Sequence, residues 1–112
     1  MSKDRLLSGE VLNRGSEIFS ENKNYKLRFS TKGNLFLYNA INDEVIWRTH
    51  VKEDDRNKCI MKNSGRLVIQ RGSGKILWKS SNRKYAGGFA KVQNDGNFVI
   101  YSPTWKTNTV GR

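Results

Sequence analysis

The chain has 112 residues, 36% of them hydrophobic, and a net charge of +11 from 21 lysines and arginines against 10 aspartates and glutamates. That length builds one core rather than two, so a single domain over residues 1–112 is expected. No apolar run is long enough for a membrane span or a signal-peptide core, no Asn-x-Ser/Thr acceptor occurs, and the lone Cys59 cannot form an intrachain disulfide. These absences leave the compartment unassigned and lean toward a cytoplasmic or non-classically secreted protein.

Ten glycines against one proline, with three Trp, four Tyr and five Phe, suit many short strands joined by tight turns. Helix-length apolar periodicity is absent. Residues 1–5 read as a loose end. Three segments then follow one pattern: Leu27 to Tyr38, Cys59 to Gln70 and Ala90 to Tyr101. In each, a glycine turn (Gly33, Gly65, Gly96) precedes a strand of alternating apolar residues. A Trp-basic-hydroxyl triplet follows each strand: Trp47-Arg48-Thr49, Trp78-Lys79-Ser80 and Trp105-Lys106-Thr107.

Units of about 30 residues can stack as a solenoid, but three copies without capping ends fit a closed, pseudo-threefold assembly better. No single copy can bury its own apolar face, so three sheets must face one another. The expected core is Leu27, Phe29, Leu35 and Leu37 with Cys59, Met61, Leu67, Ile69, Ala90, Val92, Phe98 and Ile100. The three tryptophans are expected near the axis as packing residues, and Cys59 as a buried, inert thiol.

The third segment carries the most chemistry. Period-2 alternation places Asn97, Val99 and Tyr101 on one face of a strand and Phe98 and Ile100 on the other. Asp95-Gly96 reads as a two-residue hairpin turn that brings Gln93 and Asp95 beside Asn97. One patch then offers a carboxylate, two carboxamides, a phenol and a small apolar surface. A sugar ring needs that mixture, with directional partners for its hydroxyls and a nonpolar contact for its C–H face. Neither a metal nor an acid-base pair is required.

The spacing Gln-x-Asp-x-Asn-x-Val-x-Tyr at Gln93, Asp95, Asn97, Val99 and Tyr101 closely resembles the carbohydrate site of the bulb-type, or monocot mannose-binding, lectins. The resemblance covers nearly the whole chain. It includes Leu6 to Leu12 with Gly15, which is similar to the amino-terminal strand of that family. It implies an all-β, β-prism II fold of three four-stranded antiparallel sheets with pseudo-threefold symmetry. It also implies mannose or mannose-containing glycans as ligands. Asp95 and Asn97 would take the axial 2-hydroxyl, Gln93 the 3-hydroxyl, Tyr101 the 4-hydroxyl, and Val99 would pack on the ring carbons. A homodimer formed by exchange of the carboxy-terminal segment Thr104 to Thr109 is implied as well. The disulfide common in plant members is missing.

The other two copies of the motif are altered. The first has Ser30, Lys32, Asn34, Phe36 and Tyr38, so the carboxylate is lost and Phe36 crowds the apolar floor. The second has Lys62, Ser64, Arg66, Val68 and Gln70, where two cations replace the carboxamides and an anion is the better ligand. Between Arg56 and Asn94 there are ten basic residues and no acid. This basic face suits an anionic partner such as a sulfated or phosphorylated glycan, an anionic membrane, or an acidic protein such as actin. The resembled family includes an intracellular, actin-associated branch. An interaction protein with a vestigial sugar site is therefore the alternative to a lectin.

Enzymatic chemistry finds no support. His50, the only histidine, has no nucleophile motif beside it, and Arg71-Gly72-Ser73-Gly74-Lys75 lacks P-loop spacing. Glu53-Asp54-Asp55 reads as a solvated loop rather than a metal site. Asp95 is the only acid of the last copy, which argues against a carboxylate pair. No cofactor is expected, and no module for sequence-specific nucleic-acid binding is recognisable.

Overall fold

The computed structural model describes residues 3–80 and 86–101. Eleven strands are present: β1 (Arg5–Leu6), β2 (Val11–Leu12), β3 (Glu17–Phe19), β4 (Tyr25–Phe29), β5 (Leu35–Asn39), β6 (Glu44–Arg48), β7 (Lys58–Met61), β8 (Leu67–Gln70), β9 (Ile76–Lys79), β10 (Phe89–Val92) and β11 (Phe98–Tyr101). They form three sheets, ordered β3-β4-β5-β6, β2-β7-β8-β9 and β1-β10-β11. All pairings within them are antiparallel. The fold is the expected all-β prism. Thr104 to Thr109, the exchanged segment implied by the resemblance, lies outside the described residues.

The amino-terminal segment departs from expectation. Residues 6–12 are two short strands in two different sheets, because the chain turns between them: Glu10 N donates to Leu7 O at 2.9 Å, and Leu7 N to Glu10 Oε1 at 2.7 Å. β1, β2 and β3 then add one edge strand to each sheet in turn, pairing with β10, β7 and β4. Leu6, Leu12 and Ile18 enter the core from these strands. The start of the chain is therefore no loose end from Lys3 onward: Phe19 N donates to Lys3 O and Val92 N to Asp4 O.

One turn recurs in all three sheets. Ser30 N donates to Asn34 O, Lys62 N to Arg66 O and Gln93 N to Asn97 O, each at 2.8 Å. The intervening glycines have φ near +90°. Each hairpin loop thus has three residues, a type I turn followed by a left-handed glycine, rather than the two-residue turn read from Asp95-Gly96. The three-residue loop sets Gln93 opposite Asn97, where a two-residue loop would set it opposite Phe98; the alternation within β11 itself is unaffected, so its faces come out as expected.

The expected core residues of β4, β5, β7, β8 and β10 are all buried in one cluster, with Phe98 and Ile100 packed against it. Of the two described tryptophans, one differs from expectation. Trp78 is partly buried and packs against the core, whereas Trp47 is 37% exposed and tilts against Trp78 at 5.7 Å between ring centroids. Trp105 lies outside the described residues. The hydroxyl two positions after each described tryptophan has a definite task. Thr49 Oγ1 accepts from Leu35 N and Ser80 Oγ from Leu67 N, while Thr49 N and Ser80 N donate back to Leu35 O and Leu67 O. In these two copies the triplet is a clamp that closes the hairpin onto the next strand.

Cys59 is fully buried, and burial pushes its thiol pKa up. Native protein at mildly alkaline pH is expected to resist iodoacetamide and to react in full once unfolded in urea, which mass spectrometry reads directly. Three carboxylates titrate low. Arg5 beside Asp4 and Lys3 beside Glu10 lower theirs, and hydrogen bonds from Arg56 hold Asp54 at about 2. A folded pKa below the unfolded one stabilises the protein above the ordinary carboxylate range and loses that stabilisation as pH falls. The thermal midpoint is accordingly expected to fall on acidification below about pH 4.

Candidate carbohydrate site

The third hairpin gathers all five residues that the sequence singled out. β10 and β11 pair Lys91 with Val99 and Phe89 with Tyr101, and Gln93 lies beside Asn97 across the loop. Asp95 Oδ1 accepts from Asn97 N at 3.0 Å, and its Oδ2 from Asn97 Nδ2 at 3.2 Å. A carboxylate has about four lone-pair sites, so two stay available, as does the second Nδ2 proton of Asn97. Gln93 Nε2 donates to Tyr101 Oη, which keeps its own proton to donate. Val99 is half-buried between the two pairs. A hydroxyl can thus donate to Asp95 and accept from Asn97 at one end, while a second meets Gln93 and Tyr101 at the other.

Residues that sequence reasoning missed hold this arrangement. Tyr101 stacks on Phe89 at 5.3 Å, and the Arg5 guanidinium lies 5.3 Å over Phe89. The cross-strand partner of Tyr101 was the available signal. Below the loop, Tyr25 of the first sheet is so close that a Cβ at Gly96, whose φ is +89°, would stand 2.9 Å from its ring. Asn22 N donates to Asn94 Oδ1 at 2.8 Å and Asn22 Nδ2 to Asn94 O at 3.3 Å, tying the 20–24 loop to the hairpin. These contacts span 72 residues and leave no local pattern in the sequence.

The first hairpin has the same backbone and a filled face. Asn34, at the Asn97 position, is 1% exposed. Its Oδ1 accepts from Thr49 Oγ1 and Val51 N, and its Nδ2 donates to Val51 O. Phe36 and Tyr38 stack at 5.8 Å, with Arg48 4.5 Å over Phe36 and Lys26 5.2 Å over Tyr38. Ser30 Oγ is engaged by Asn34 N, and Lys32 points no acceptor at the face.

In the second hairpin Val68 is 1% exposed, so the apolar floor that Val99 offers is closed here. Lys62, Ser64, Arg66 and Gln70 are half-buried around it. Lys62 and Arg66 face each other across the loop as a cationic pair, in the positions of Gln93 and Asn97. Among the described residues, no group of three or more His, Cys, Asp or Glu stands close enough to hold a metal ion.

In sequence and in structure the chain is similar to the bulb-type, monocot mannose-binding lectins. A mannose-specific lectin of Colocasia esculenta is 31% identical over 101 residues, which is 88% of this chain and 36% of that protein. The chain therefore spans about a third of the length of the curated relatives it matches. The snowdrop (Galanthus nivalis) mannose-specific agglutinin, solved with methyl-α-D-mannoside, is 28% identical with a TM-score of 0.76, covering 98% of this chain and 100% of that one. A monomeric monocot mannose-binding lectin of Gastrodia elata is 29% identical with a TM-score of 0.75, at 98% and 100% coverage. No family model matches the sequence.

Proposed function

We propose that this chain is a lectin domain that binds terminal α-mannose without metal and without catalysis, through Asp95, Asn97, Gln93, Tyr101 and Val99 of the third hairpin. The observation that carries this reading is the pairing of Asp95 with Asn97 and of Gln93 with Tyr101 around a partly open Val99. The altered hairpins lack the carboxylate, and Asn34 and Val68 are buried. An axial 2-hydroxyl meets Asp95 and Asn97 together, whereas an equatorial one leaves them poorly matched. Neutral hydrogen bonds contribute about 0.5–1.5 kcal/mol each, so one shallow site has an affinity near the millimolar scale of about −4 kcal/mol. A homodimer joined through Thr104 to Thr109 would supply a second site and the avidity that a monomer lacks.

Calorimetry with methyl α-mannoside and methyl α-glucoside at low and high salt tests the reading. Mannose-selective heat that salt leaves unchanged is expected, and equal heats for the two sugars would overturn it.

The second reading, an anionic partner on the basic face, is favoured by one observation. Lys58, Lys62, Lys75 and Lys79 form no ion pair among the described residues. Binding of that kind weakens steeply with salt. It is expected to survive Asp95→Ala and to fail in a Lys62→Ala, Arg66→Ala double variant.

A further inference from the structure

We propose that the cleft beside the third hairpin receives the sugar residue next to the mannose and discriminates by charge, admitting a neutral or amino sugar and rejecting an acidic one. This rests on the mannose reading of Asp95 and its neighbours. The cleft holds about 350 Å3 and is lined by Asp4, Glu21, Lys91, Gln93, Asn94 and Asp95. Gln93 and Asp95 belong to the mannose patch, so the cleft continues from that patch rather than standing apart from it. Its far wall is tied to the hairpin. The Asn22–Asn94 hydrogen bonds fix the loop that bears Glu21, and Ser20 Oγ donates to Asn22 Oδ1 at 2.7 Å.

The charge arrangement runs against the net charge of the chain. Nine of the ten acids precede Arg56, and two of these, Asp4 and Glu21, converge with Asp95 on this cleft. Two cations stand against Asp4: Arg5 Nε lies 2.8 Å from Asp4 Oδ1, and Lys91 Nζ 3.7 Å from Asp4 Oδ2, while the Arg5 charge also acts on Glu21 at longer range. Glu21 and Asp95 form no ion pair among the described residues. A carboxylate or sulfate on the second sugar therefore meets two carboxylates that no close ion pair engages among the described residues, although the protein as a whole is strongly cationic. Hydroxyl and ammonium groups find acceptors in the same two side chains.

The test titrates labelled protein with methyl α-mannoside, with α-1,2-, α-1,3- and α-1,6-mannobiose, and with a glucuronosyl-mannose of the linkage that binds best. At least one mannobiose is expected to shift the Glu21, Asn22 and Lys91 amides and to bind about threefold tighter than methyl α-mannoside, the gain of one further hydrogen bond. The glucuronosyl sugar is expected to bind about fivefold weaker than that mannobiose at low salt, and Glu21→Gln to narrow the gap. The proposal is overturned if methyl α-mannoside binds while no mannobiose moves the Glu21 loop. It is overturned equally if the acidic sugar binds as tightly as the neutral one, or if Glu21→Gln leaves the gap intact. Failure of methyl α-mannoside itself to bind removes the mannose reading, and the subsite with it.

Discussion

Asn34→Ala is expected to destabilise the protein by about 3 kcal/mol or more, with the urea midpoint falling and the m-value unchanged. The side chain is buried, and its loss strands Thr49 Oγ1, Val51 N and Val51 O, each of which it satisfies in the native state. An unmet buried polar group costs about 1–3 kcal/mol. Thr49 in turn holds Leu35 N, so the clamp at the start of β5 loosens with it. Asn97 occupies the same position in the third hairpin but is exposed, and its partner is the exposed Asp95. Asn97→Ala is accordingly expected to change stability by less than about 1 kcal/mol. One residue type at one hairpin position is thus a buried structural amide in the first copy and an exposed one, available to the proposed ligand, in the third.

Asp95→Ala is expected to abolish measurable mannose binding while leaving the fold intact. Hydrogen bonds to a charged group contribute about 1.5–3 kcal/mol, so losing the carboxylate weakens a site near the millimolar scale by about tenfold to a hundredfold. Asp95 also positions Asn97 through both of its oxygens, so the amide loses its orientation as well. Calorimetry under conditions where wild type saturates reads this loss. An unchanged thermal midpoint assigns it to the site rather than to unfolding.

Much of this was legible in the sequence because it is periodic. The alternation in Leu35–Leu37, Leu67–Ile69 and Phe98–Ile100 names the buried face directly, and the repeated glycine marks each turn. The five residues of the candidate site lie within nine positions, so strand geometry alone brings them together. What was not legible is what long-range pairing decides. β1, β2 and β3 are two or three residues each, too short to carry a pattern, and only their partners reveal that they divide among three sheets. The support of Gly96 by Tyr25 and the stacking of Arg5 and Phe89 under Tyr101 join segments far apart in the chain. Trp47 is more exposed than expected for a related reason. The recurrence of tryptophan marks an equivalent position, but equivalent positions differ in burial when the neighbours around them differ, as Trp78 against the core and the more exposed Trp47 show.

The most direct measurement of the central claim is a heteronuclear NMR titration with methyl α-mannoside, run beside methyl α-glucoside at low and high salt. Mannose-selective, salt-insensitive shifts confined to residues 93–101 and their immediate supports are the expected result. Shifts centred on residues 30–38 or 62–70, or none at saturating sugar, would contradict the assignment of mannose binding to the third hairpin.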